Sequence, residues 1–241
     1  MNGGLYITRL CAWAPGVENS IEWNEWAQGK RDISSGDKGS GTQVPAISFT
    51  DSLFRRRLSQ ISKMTVQVVH GILPVKDDTK MLFVSFRGEL SRQYQINKML
   101  IEEKSLMPAA FSLSVFNAPP ALASIALGLK GGYSALYPGN NSFDEAFAMG
   151  LASAESALYG AQGELIFIYA DEQAQTEYGS FFNECPVPVA FAFLLTREHQ
   201  STCVPLSSLK SEDGGQYGSK YGSPLDFLKR LILCGEIHVS S

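Results

Sequence analysis

Residues 164–170, ELIFIYA, run apolar with no polar residue interleaved after Glu164. A strand with one solvated face alternates apolar and polar side chains. A continuous run is buried on both faces, as in a parallel sheet covered by helices on each side. Residues 187–196, VPVAFAFLLT, repeat the pattern. Further strands are expected at 5–14 (LYITRLCAWA, stopped by Pro15-Gly16), at 80–87 and at 133–137. Helices are expected at 90–103, 121–129 and 142–159. Another is expected at 55–72, where Leu58, Ile61, Met64, Val66, Val68 and Val69 supply the apolar face. This alternation predicts an α/β fold with a mostly parallel sheet in the order βαβαβαββ. Only residues 171–186 separate the last two strands, with no crossover helix in them. The fifth strand is therefore expected to return antiparallel, at or near the sheet edge, giving a mixed five-stranded sheet. Residues 29–51, rich in Gly, Ser, Lys and Asp, read as an exposed insertion. A Gly/Ser-rich loop from 207 precedes a terminal helix at 224–233 within the last segment, 207–241. Residues 1–241 are expected to form a single domain with no internal repeat.

Several function classes are excluded by what the chain lacks. Its net charge of −4 over 241 residues argues against nucleic acid or an anionic membrane as the main partner. The longest apolar stretch, 186–195, is far short of the ~20 residues that span a bilayer. No cationic start followed by an apolar core is visible, so a cytoplasmic location is expected. Cys11, Cys185, Cys203 and Cys234 form no CxxC pair, which predicts reduced thiols. His70, His199 and His238 are not at zinc-ligand spacing, so no metal site is expected. There is no HExxH, GxSxG, GxxxxGK[ST] or GxGxxG, and no cofactor is expected.

The segment 111–172 carries a family resemblance. Gly128-Leu129-Lys130-Gly131 resembles the G-[LA]-[KR]-G turn of β-ketoacyl synthases. As in that family, a strand, the nucleophile turn, a long helix and a buried strand ending in acidic residues follow it. SVFNAP at 114–119 is similar to the SVHNAP motif of ketosynthase-like proteins from aryl polyene gene clusters. YITRLCAWAPG near the start and Lys63-Met64 also resemble the N-terminal half of these synthases. The resemblance implies a thiolase-like fold, in which two similar βαβαβαββ halves share one chain. This chain has the length of a single half, and the half that carries the two catalytic histidines has no counterpart in it.

In a condensing synthase the nucleophile is a cysteine on the turn at the start of the long helix. There the helix dipole and backbone N–H groups lower the thiol pKa and stabilise an oxyanion. The resemblance puts that position at Asn140, between Gly139 and Asn141, and an amide cannot carry a thioester. Ser142 and Glu145 fit a capping box. Asp144 and Glu145 place two carboxylates in the first turn, where they oppose both a thiolate and an oxyanion. No catalytic residue is expected.

The resemblance implies a subunit in place of a free enzyme. Type II polyketide systems pair an active ketosynthase with an inactive chain-length factor, and the third strands of the two N-terminal halves pair across the interface. That strand is Tyr133-Ser134-Ala135-Leu136-Tyr137, with Asn117 beside it. Phe111 and Phe116 fall where relatives reach the partner's acyl pocket; they are either tunnel-floor residues or core aromatics. Phe116 stands where relatives have His. The leading expectation is a non-catalytic chain-length-factor-like subunit of aryl polyene biosynthesis. Its implied partners are an active ketosynthase, in a heterodimer, and through it an acyl carrier protein. Two alternatives stay open: an acyl-transfer or condensing enzyme using another cysteine, and a stand-alone acyl- or carrier-binding module.

Overall fold

A computed structural model describes residues 4–33, 43–105, 108–137, 143–158, 163–173, 187–200, 202–209, 222–234 and 239–240. The first strand, β1 (Tyr6–Trp13), is followed by α1 (Ser20–Ala27), α2 (Ser52–Arg57) and α3 (Gln60–His70). Next come β2 (Lys80–Val84), α4 (Leu90–Glu102), α5 (Pro108–Ser112), α6 (Ala118–Leu127) and β3 (Tyr133–Leu136). Helix α7 (Phe143–Ala157) leads to β4 (Glu164–Asp171) and β5 (Val189–Thr196). The chain then forms β6 (Val204–Pro205), a 3₁₀ turn (Leu206–Leu209), α8 (Pro224–Leu233) and β7 (Val239–Ser240).

The strands lie in the order β3-β2-β4-β5-β1-β6, with β7 also pairing β1. Strands β3, β2 and β4 are parallel, while β5 runs antiparallel to both β4 and β1. The βαβαβαββ order and the mixed five-stranded sheet are those expected from the sequence, extended by two two-residue strands. Of the two placements expected for β5, at or near the edge, the structure has the second: it is interior, next to the border among the five longer strands. β1 crosses to the far side of β5 and pairs with it from Tyr6↔Thr196 to Trp13↔Ala190. All eight β5 residues are buried, which explains the unbroken apolar run better than an edge position does.

Each face of the sheet carries its own core. Phe167 and Tyr169 of β4, with Phe191 and Phe193 of β5, pack towards α1, α7 and α8. Ile166, Ile168, Ala190, Ala192 and Leu194 point the other way, onto α3 and α6. Register places Phe167 opposite Phe193, and the two rings stack at 4.8 Å and 3°. Phe147 of α7 sits over them, 5.1 Å from Phe167 and 4.4 Å from Phe227 of α8.

Two further expectations are corrected. The single helix at 55–72 is two, because Leu58 is extended and Ser59 caps α3 by accepting a hydrogen bond from the Ser62 N–H. The Ser59 hydroxyl donates to Glu89 Oε1 (2.7 Å), which fixes the break to the loop after β2. Nor is the segment 29–51 exposed throughout. Pro45 and Ile47 are buried, Ile47 within the core on the α3 side.

Helix α8 is held by a capping box in which Ser223 accepts from the Asp226 N–H and Asp226 reaches back to the Ser223 N–H. Ser223→Ala removes the first of these bonds. A loss of about 1 kcal/mol is expected, read as a shift in the urea midpoint at unchanged slope.

Candidate functional site

The turn between α6 and β3 decides where β3 lies. The N–H groups of Lys130 and Gly131 both donate to Asp77 O, pinning the turn against the loop before β2. A Cβ on Gly131 would stand 2.2 Å from Asp78 O, so only glycine permits this approach. From there β3 runs beside β2 with Met81↔Tyr133 and Val84↔Leu136 in register, and no strand among the described residues pairs its other side. The Met81 N–H donates to Gly132 O (3.0 Å) and the Ser85 N–H to Leu136 O (3.4 Å). Backbone polarity alternates along a strand, so the N–H and C=O groups of Tyr133 and Ala135 point to the open side.

The structure brings together most of the residues expected at an interface. Tyr133, Ser134 and Tyr137 are exposed, while Ala135 and Leu136 are half-buried. Asn117 Nδ2 donates to the Tyr133 hydroxyl at 3.4 Å. Phe116 meets Tyr137 edge-on at 5.8 Å and Phe83 at 6.0 Å. Phe111 stands apart on α5, 55% exposed, and makes no ring contact among the described residues. Neither phenylalanine belongs to the fully buried core. On the opposite face of the strand, a groove of about 420 Å³ runs between β3 and α7, lined by Ser134, Leu136, Ser153, Ala157 and Leu165.

Behind the strand lies a network that sequence reasoning missed. Asp171, at the end of β4, is fully buried and accepts from Ser85 Oγ (2.8 Å), Phe86 N–H (3.1 Å), Arg87 N–H (2.9 Å) and Tyr169 Oη (2.7 Å). Burial pushes its carboxyl up while these donors and the Arg87 charge pull it back. Every contact comes from a donor, which is the setting of a carboxylate. Glu89 is buried, takes hydrogen bonds on Oε1 from the Ser59 and Ser62 hydroxyls, and pairs with Arg92 Nε at 3.4 Å. Its pKa is raised by desolvation, against the pull of those groups. Glu172 takes the Ser91 N–H on Oε1 (3.3 Å) and is pushed up to about 7, chiefly by burial. Glu89 and Asp171 add to that rise by repulsion. The available signal was the polar pair Asp171-Glu172 placed directly after an apolar run, where burial is continued from the strand.

The other reactive groups lie elsewhere. His70 ends α3 and stacks on Phe49 at 3.7 Å, and burial lowers its pKa. His199 meets Tyr6 edge-on, following β5. Cys11 is buried and pushed up to about 12 by desolvation, which suppresses its thiolate. Cys203 is buried and donates to Gln200 O, and Cys234 is exposed at the end of α8. Gly139, Asn140, Asn141, Ser142, Cys185 and His238 lie outside the described residues. Asp144 and Glu145 do occupy the first turn of α7, and Asp144 Oδ1 accepts from the Gly222 N–H (2.8 Å). Among the described residues no cluster of His, Cys, Asp and Glu is arranged to hold a metal ion. No helix among them is long and apolar enough to cross a membrane.

The family model for the β-ketoacyl synthase N-terminal domain matches residues 23–233. The chain belongs to this family. Comparison with curated protein sequences gives no match. Among solved structures, the fold is similar to a chain in the complex of a ketosynthase, ApeO, with its chain length factor, ApeC, from Xenorhabdus doucetiae. That match has 24% identity and a TM-score of 0.71, and covers 95% of this chain and 91% of the other. Two further matches each have 12% identity and a TM-score of 0.53. One is AntDE:AntF, a type II polyketide synthase acyl-carrier protein in complex with its ketosynthase, covering 81% of this chain and 64% of the other. The second is the ishigamide ketosynthase/chain length factor, covering 81% and 59%. These likenesses establish a ketosynthase-type, thiolase-like fold. The near-equal coverage in the first match means that a chain of similar length occurs in a ketosynthase–chain length factor complex.

Proposed function

We propose that the chain is a non-catalytic, chain-length-factor-like partner of an active ketosynthase in aryl polyene biosynthesis. The observation that carries this reading is the open side of β3, where the backbone groups of Tyr133 and Ala135 meet no strand among the described residues and the Tyr133 and Tyr137 side chains are exposed. An edge of this kind invites pairing with another chain, and a partner's edge strand satisfies it. The outlying Phe111 and the half-buried Phe116 then face that partner, with Phe116 as the floor of its acyl tunnel. Asn140 at the cysteine position of the family, two carboxylates in the first turn of α7 and a suppressed Cys11 thiol all speak against a condensing reaction on this chain. The growing chain arrives on an acyl carrier protein docked to the complex, in the cytoplasm.

Co-expression with the cognate ketosynthase is expected to give a heterodimer that survives gel filtration, in which the ketosynthase gains solubility and elongation activity. A stable monomer that leaves the ketosynthase unchanged would overturn the reading.

A further inference from the structure

Phe116 is held in place by groups that belong to three different parts of the fold. On one side is the backbone of Gly88, in the loop after β2. A Cβ there would stand 2.6 Å from Phe116 Cδ2 and 3.1 Å from Cε2, so the ring occupies the space a side chain at 88 would fill. Gly88 itself cannot retreat. Its N–H donates to Ser85 Oγ (2.7 Å), and Ser85 in turn donates to the buried Asp171 carboxylate (2.8 Å). Beneath the ring is Phe83 of β2, buried and 6.0 Å away. On the remaining side is Tyr137, 57% exposed at the end of the edge strand, 5.8 Å away and inclined at 76°. The backstop is thus rigid, and the outer stop is a side chain that any chain docked on β3 would touch.

We propose that Gly88 and Tyr137 are positioning residues for Phe116, so that occupation of the edge strand by a partner and the placement of this ring are coupled. This rests on the reading that Phe116 floors the partner's acyl tunnel. The loop sets the depth of the ring through a missing side chain. Tyr137 transmits contact at the interface to its outer edge. A partner seated on β3 confines Tyr137 and with it the outward movement of the ring, so the depth set by Gly88 and Phe83 is secured on assembly.

Melting temperatures of the full chain test the positioning itself. Gly88→Ala is expected to lower the midpoint by about 4–8 °C when Phe116 is present, and by roughly 2 °C in a Phe116→Ala background, where only the strain of a positive φ remains. Tyr137→Ala and Phe116→Ala are likewise expected to be non-additive. Product lengths of the heterodimer test the coupling. Gly88→Ala and Tyr137→Ala each shift the distribution, and neither does so once Phe116 is alanine. Additive melting temperatures, or wild-type products from Tyr137→Ala in a complex where Phe116→Ala does shift them, overturn the proposal. Non-additive melting temperatures with wild-type products from Phe116→Ala support the positioning and overturn the tunnel-floor reading instead.

Discussion

Ala135→Pro is expected to weaken heterodimer formation at least ~100-fold while leaving the chain folded. The N–H at 135 points to the open side of β3, so its removal breaks no bond to β2. The pyrrolidine ring instead takes the place a partner strand must enter and removes a donor from the new ladder. Together the lost bond and the clash amount to about 3 kcal/mol, which is ~100-fold in affinity. Ser134→Pro is the informative contrast, because its N–H faces β2 and its loss detaches the edge from the sheet. Isothermal titration against the ketosynthase distinguishes the two from a merely unfolded variant when paired with urea unfolding of the isolated chain. Wild-type affinity in Ala135→Pro would remove β3 from the interface.

Glu172→Gln is expected to stabilise the protein at pH 8 and to leave it nearly unchanged at pH 5. The folded-state pKa of Glu172 is raised from 4.5 to about 7. Between those two values the folded chain holds a proton that the unfolded chain has released. Stability therefore falls as pH rises through this window, and the cost is complete above pH 7. A rise of this size corresponds to about 3 kcal/mol, or roughly 6–12 °C in melting temperature for a domain of this length. Glutamine keeps an oxygen for the Ser91 N–H and carries no charge beside Glu89 and Asp171. Glu89 is raised in the same direction, so a shallower slope remains in the variant. Melting curves taken from pH 5 to pH 9 should converge at the acid end and separate above neutrality. Parallel curves would show that Glu172 titrates normally.

The layers of the fold were legible because burial leaves a periodic record. The runs at 164–170 and 187–196 are continuous because residues such as Phe167 and Ile168 enter cores on opposite faces of the sheet. What burial cannot encode is which strand lies beside which. β5 is as apolar as an interior strand must be, yet its placement depends on β1 returning across the sheet, a pairing between the two ends of the chain. The break at Leu58 was hidden for a similar reason. Apolar spacing continues through it, and the signal for a new helix, Ser59, acts through Glu89 thirty residues on. The edge position of β3, the exposure of its tyrosines and the nearness of Asn117 and Phe116 agree with what the family resemblance implied for the candidate site. The Asp171 network was not, because its donors are mostly backbone N–H groups and hydroxyls whose convergence exists only after β2 and β4 have paired.

The two borders of the sheet are unequal. One is β3, open along its length among the described residues. At the other, β1 is flanked by β6 and β7, each only two residues long. Among the described residues this border presents only two-residue templates for another strand. On the proposed reading, a partner that seats its own edge strand on β3 closes the one long open border, and the two-residue strands at the far border give the sheet little to extend from.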